Sequence, residues 1–163
     1  MKISATFISL ILAAIIITSC NKTASSPSYA LTGTLSNSSS FNLKDSSTVF
    51  IRDTMNGIAF IQIIGVISVQ AHDTTVAALT FSNITKTGTY ALATLQTTTD
   101  TTGIIAYAIG KHGYVSIPTT SPGSFTITAL SKTNITGTYN AKMVDSANNI
   151  LTMQGSFNGT FIR

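Results

Sequence analysis

The chain has no Trp, no Glu and a single Cys, and only 9% of its 163 residues are charged. Soluble domains usually carry about 25% charged residues. One Cys cannot form an internal disulfide. The shortage of charge excludes a highly charged helical bundle, whose exposed faces favour Glu, Lys, Arg and Gln. The Lys and Arg residues are scattered and never adjacent, so no basic stripe offers itself to nucleic acid. Two His and five Asp complete the titratable inventory apart from tyrosines, which is little for convergent catalysis. There is no G-x-S-x-G elbow, zinc-ligand spacing, calcium loop or Gly-rich phosphate loop. The expectation is a protein without cofactor or metal that is not an enzyme.

What is present in excess is hydroxyl: 28 Thr and 20 Ser make up 48 of the 163 residues. With 44% apolar residues the chain is not a disordered tail, and its length suffices for one domain with a proper core. Thr, Ile, Val, Phe and Tyr suit a pleated sheet.

The N-terminus reads as an address. Lys2 precedes Phe7–Ile17, eleven apolar residues broken only by Ser9, too short for a transmembrane helix, which needs about 20 residues, and fitting a signal-peptide core. Ile17-Thr18-Ser19-Cys20 follows. This resembles the lipobox of bacterial lipoproteins. The resemblance implies a helical leader at 1–19, cleavage before Cys20, diacylglyceryl and palmitate-type acyl chains on Cys20, and a membrane as partner. Residues 20–28 form the acylated Cys and a small, polar, flexible tether, and 29–163 a single domain. In the mature chain eight basic side chains face five Asp, leaving +3. Asn21 stands where an Asp would resemble an inner-membrane retention signal, and no acidic residue follows Cys20 closely. The expected location is the outer membrane, facing the periplasm, with the cell surface as alternative.

Beyond the tether the pattern alternates with period two. Leu151, Met153, Gly155, Phe157, Gly159 and Phe161 share one parity, with Thr152, Gln154, Ser156, Asn158 and Thr160 on the other. Ile135, Gly137, Tyr139, Ala141 and Met143 repeat this, and Phe125, Ile127 and Ala129 alternate with Thr126 and Thr128. Each apolar set faces a core, the glycines leaving room beside Phe rings or allowing a bend. Ile58–Val69 is apolar at both parities, as expected of a strand covered on both faces. Turn signals at Ser36–Ser40, Met55–Gly57, His72–Thr75, Thr97–Gly103, Gly110–Gly113, Pro118–Gly123, Ser131–Asn134 and Ser146–Asn149 separate these runs. The expected fold is all-β: about eight to ten antiparallel strands in meander order, packed as a sandwich or barrel. A Gly-hydroxyl-aromatic theme (Gly88, Gly123, Gly137, Gly155, Gly159) recurs at unequal spacing, which excludes a solenoid or propeller period and predicts Gly at turns or bends with the aromatic in the core.

Four elements carry a second resemblance: LTFSNITKTGTYAL (Leu79–Leu92), GSFTITAL (Gly123–Leu130), ITGTYNAKMVDSANN (Ile135–Asn149) and GSFNGTF (Gly155–Phe161). Together with the lipobox they resemble a family of small Bacteroidetes-type lipoproteins of uncharacterised function. The resemblance covers the C-terminal half and implies one all-β domain but no chemistry. Many relatives carry a Lys-Pro-Trp-like element early in the mature chain; near that place stands Ser40-Phe41-Asn42, without Pro or Trp. ITGTY at Ile135–Tyr139 also resembles a strand of avidin-like proteins, but their several Trp are missing, so biotin is excluded as a ligand.

Every Asp precedes Ser or Thr. Asp-Ser/Thr is common turn chemistry. Four pairs continue with Met55, Thr75, Thr102 and Ala147 and resemble the sequon of Bacteroidetes periplasmic O-glycosylation. That resemblance makes Thr54, Thr74, Thr101 and Ser146 candidate acceptors. Asn83, Asn134 and Asn158 open N-x-Ser/Thr triplets, which carry little weight in a bacterial lipoprotein. The functional expectation is a lipid-anchored, non-catalytic envelope module that binds or scaffolds an envelope protein or glycan. The alternatives are a carrier of a small apolar ligand inside a barrel and a periplasmic hydrolase using His72 or His112.

Overall fold

In a computed structural model, residues 29–55, 57–70, 73–93, 101–116 and 121–162 are described. The leader, Cys20 and the tether lie outside them, as does His72.

The described chain is all-β. Eleven strands follow in sequence: β1 (Ala30–Leu35), β2 (Ser40–Lys44), β3 (Thr48–Met55), β4 (Ile58–Gln70), β5 (Asp73–Ser82), β6 (Gly88–Ala91), β7 (Thr102–Ile109), β8 (His112–Val115), β9 (Gly123–Leu130), β10 (Asn134–Val144) and β11 (Ile150–Thr160). The excess over eight to ten comes from β6 and β8, which have four residues each. Six pairs of sequence neighbours, β1–β2, β3–β4, β4–β5, β7–β8, β9–β10 and β10–β11, pair antiparallel, and Gly57 (φ 79°) and Gly110 (φ 56°) supply left-handed turn residues between β3 and β4 and between β7 and β8.

One sheet runs β2-β1-β11-β10-β8-β7-β5-β4-β3. It forks at β10: residues 135–141 pair with β9, and Val144 pairs with Val115 of β8. The two arms meet again on β7, because β6 hangs on β9 and a Leu92–Gly103 bridge leads from its end to the start of β7. The ends of the sheet also approach each other. Ile51 of β3 bridges Ile162, whose N–H donates to the Phe50 carbonyl at 2.9 Å. The sheet is therefore a nearly closed barrel, which leaves little unpaired edge.

The interior is filled. Phe50, Phe81, Phe125 and Phe157 are fully buried. Phe81 stacks on Phe125 at 4.1 Å and tilts against Phe157 at 5.5 Å. Along β10 and β11 burial follows the alternation read from the sequence. In β9 it does not. A register shift opposite Thr136/Gly137 makes Thr128 an extra residue, so Ala129 is exposed and Leu130 turns towards the core. The expected inward Ala129 is corrected by this bulge, which reverses the alternation beyond it.

The recurring glycines divide into two uses. Gly123 (φ 106°) opens β9 as the turn reading expects. Gly137, Gly155 and Gly159 stand inside strands instead. At Gly155 a methyl group would strike the Thr32 carbonyl and the Tyr139 hydroxyl, and at Gly159 it would strike the Phe50 ring.

Candidate functional site

The expected site residues do not converge. Thr54 lies near the end of β3 and Thr74 near the start of β5, in strands rather than turns; Thr101 immediately precedes β7, and Ser146 sits in the β10–β11 turn. All four are exposed. Strand pairing puts Thr54 and Thr101 towards one end of the barrel and Thr74 and Ser146 towards the other. Asp53 accepts a hydrogen bond from the Thr54 N–H at 2.7 Å. Asp145 accepts from the Ala147 and Asn149 N–H groups at 2.9 and 2.8 Å and from Asn149 Nδ2 at 2.8 Å. The Asn149 side chain is the main reason that its carboxyl is held below the usual range, with the two backbone donors and nearby His112 adding to it. The Asp145 contacts build the β10–β11 turn.

His112 is exposed at the tip of the β7–β8 hairpin. Among the described residues no three His, Cys, Asp or Glu gather as metal ligands. Burial pushes the Tyr139 hydroxyl well above the ordinary tyrosine range, and it donates to the Thr32 carbonyl at 2.7 Å. Burial, with Tyr114 second, raises Tyr107. Both sit in the hydrophobic core. A carrier requires an open interior. Here Ile63, Leu79, Ile105, Met143 and Met153 join the four Phe rings in filling it. A depression of about 170 Å³ lies outside, between Thr34–Ser36, Asn140 and Thr152–Gln154.

The exterior is where the molecule is differentiated. Across β6, β9, β10, β11, β1 and β2 the outward residues line up as Thr89, Thr126, Thr138, Ser156, Thr32 and Asn42. Their hydroxyls pair across strands, Thr89 with Thr126 and Thr32 with Ser156, each at 2.9 Å. This half of the wall is a hydroxyl and amide surface.

The other half is aliphatic. Strand register joins Val49, Ile64, Ala78, Ala106, Val115, Val144 and Ile150 into one outward row from β3 to β11. A second row holds Val66, Val76 and Ala108. Their parity is opposite to that of the core, and none of them belongs to the core cluster. Ile64, Val76 and Ala78 are buried, Val66, Ile104, Ala106 and Ala108 half-buried, and Val49 and Ile150 are 37% and 58% exposed. No outward position from Phe60 to Val66 on β4, Val76 to Ser82 on β5 or Thr102 to Ala108 on β7 carries a charge. The sequence carried a trace of this face in the two-parity apolar run Ile58–Val69. The row itself was not legible there, because it is made by register across seven strands.

Searches against protein-family models, curated proteins and solved structures find no match to this chain.

Proposed function

We propose that this chain is a lipid-anchored, non-catalytic domain of the bacterial cell envelope, held at the outer membrane through Cys20 and acting by what its outer surface binds. The observation that carries the reading is the filled barrel interior: with the core occupied by side chains and the titratable groups dispersed, recognition falls to the exterior. The lipobox-like Ile17-Thr18-Ser19-Cys20 supports the anchor. The exposure of Thr54, Thr74, Thr101 and Ser146 suits O-glycan acceptors. The hydroxyl-rich half of the wall fits an envelope protein or glycan as partner.

Intact-mass spectrometry of the protein from the membrane fraction of a lipoprotein-processing host of the Bacteroidetes type tests this. The expected species begins at Cys20 and carries two or three acyl chains, with hexose-type additions lost when the four hydroxyl residues are changed to Ala. An unmodified chain beginning elsewhere, found in the soluble fraction, overturns the anchor. Additions that persist in the four-fold variant overturn the acceptor assignment.

A further inference from the structure

We propose that the depression on the outer wall across β1, β10 and β11 binds one uncharged sugar ring of an envelope glycan. The inference rests on the reading above, in which recognition falls to the exterior, and names the ligand class.

Strand register sets the place. Asn140 of β10 stands opposite Gln154 of β11, and Gln154 stands opposite Thr34 of β1. Their outward side chains are therefore neighbours at strand spacings of about 5 Å. Thr152 lies two residues before Gln154 on the same face, about 7 Å along the strand. Ser36 closes one end: its Oγ accepts from the Thr152 N–H at 3.2 Å, and its own N–H donates to the Thr152 carbonyl at 2.9 Å. Leu35 and Met153, both buried, complete the lining. Hydrogen-bonding capacity then singles the spot out. Elsewhere on this half of the wall side chains satisfy one another: Thr89 with Thr126, Thr32 with Ser156, Thr136 with Asn158 and Thr160 with Asn134. Around the depression they do not. Thr34, Asn140, Thr152 and Gln154 are exposed, and their side chains bond to no other described residue. Two amides and two hydroxyls thus converge unused.

Chemistry selects the ligand. An Asn or Gln amide offers an N–H donor beside a carbonyl acceptor, which matches adjacent sugar hydroxyls, each both donor and acceptor. No Asp, Lys, Arg or His lines the depression, so an ionised ligand would lose water there without gaining a counter-charge. The volume of about 170 Å³ equals that of about six liquid waters and falls short of the roughly 300–1,000 Å³ that drug-sized ligands occupy. A single ring suits it. A protein partner would need an apolar or aromatic centre within about 800 Å² of contact, and none of the exposed large hydrophobics lines the depression. With no aromatic ring to stack on, affinity rests on about four ordinary hydrogen bonds and lies on the order of 1 mM.

Side-chain amide NMR signals of the full chain, isolated from its host in sugar-free detergent micelles, give a direct test. Methyl glucoside, methyl galactoside, methyl mannoside and N-acetylglucosamine are added one at a time through the millimolar range, with glucuronate as the charged comparison. At least one of the four uncharged sugars shifts the Asn140 and Gln154 signals in a saturable way. Gln154→Ala, read on the Asn140 signal, weakens that sugar about ten-fold, the loss of two ordinary hydrogen bonds. Asn140→Ala, read on Gln154, serves should the first variant fail to fold. Thr126→Ala, elsewhere on the wall, leaves binding unchanged, and so does Lys142→Met on β10 opposite Thr152.

No saturable shift with any of the four sugars overturns the proposal, as do shifts that both variants leave intact. Binding of glucuronate alone, lost in Lys142→Met, overturns the uncharged ligand and assigns the spot to an anion. Movement of the same signals with a glycan-free envelope protein fraction and not with the sugars assigns the wall to a protein instead. The mass of Cys20 in the same samples separates this inference from the reading beneath it. Acylated protein without sugar binding removes the sugar site alone. Unacylated protein that binds the sugar removes the anchor alone.

Discussion

Thr48 shows how one hydroxyl can stand against its surroundings. It points inward opposite Gly65, and its Oγ1 is buried without a hydrogen-bond partner among the described residues. A buried, unsatisfied polar group costs about 1–3 kcal/mol. Thr48→Val keeps the branched shape and removes the polar atom, so urea unfolding should show a gain of about 1 kcal/mol. Asp145 stands at the other extreme, half-buried, with its carboxylate accepting three hydrogen bonds. With its carboxyl held below the usual range by Asn149, its contribution to stability is complete above the ordinary aspartate pKa and is lost as pH falls through the lowered value. NMR titration should place its midpoint below that of an ordinary aspartate, and Asn149→Ala should raise it. An unchanged midpoint in that variant would show that the backbone donors alone set it.

At the scale of strands, β10 and β11 were legible in the sequence because their alternation is uninterrupted over eleven residues each. In β9 the same reading succeeds up to Ile127 and fails at Ala129, where one extra residue reverses the faces. Thr128 marks the place: its Oγ1 donates to the Thr136 carbonyl at 3.2 Å. Nothing in the local sequence announces such a bulge, because it depends on where the partner strand lies. Deleting Thr128 should close the ladder without the bulge, keeping Ala129 outward opposite Thr136 and Leu130 inward opposite Ile135. Urea unfolding should then show a loss of no more than about 1 kcal/mol, the net worth of the Thr128 hydroxyl's hydrogen bond. A much larger loss would mean that the strands need the bulge to fit the barrel. β4 was readable as a strand apolar on both faces; what its outer face meets was not.

For the whole molecule, the decisive pairing joins the two ends of the chain. β1 lies between β2 and β11, and Ile162 meets β3. Removing residues 150–163 would expose one edge of β1 and of β10 together, and take Phe157 out of the ring cluster; Phe→Ala in a core alone costs about 3–5 kcal/mol. Circular dichroism of that truncated chain should show no cooperative thermal transition, whereas the full chain should unfold in one. A cooperative melt of the truncated chain would mean that closure is dispensable.

The sequence by itself determined an all-β domain, its main strands and their inward residues, because alternation and β-propensity are local properties carried by neighbours along the chain. It also set the scarcity of charge that leaves hydroxyl and aliphatic side chains to clothe the outside. Only the tertiary structure decided how those side chains divide. Register aligned the hydroxyl residues of β6, β9, β10, β11, β1 and β2 on one half of the wall, and Val49, Ile64, Ala78 and Ala106 on the other. Residues distant in sequence become one surface only when backbone hydrogen bonds fix which strand lies beside which, and that is a property of the closed sheet rather than of any segment in it.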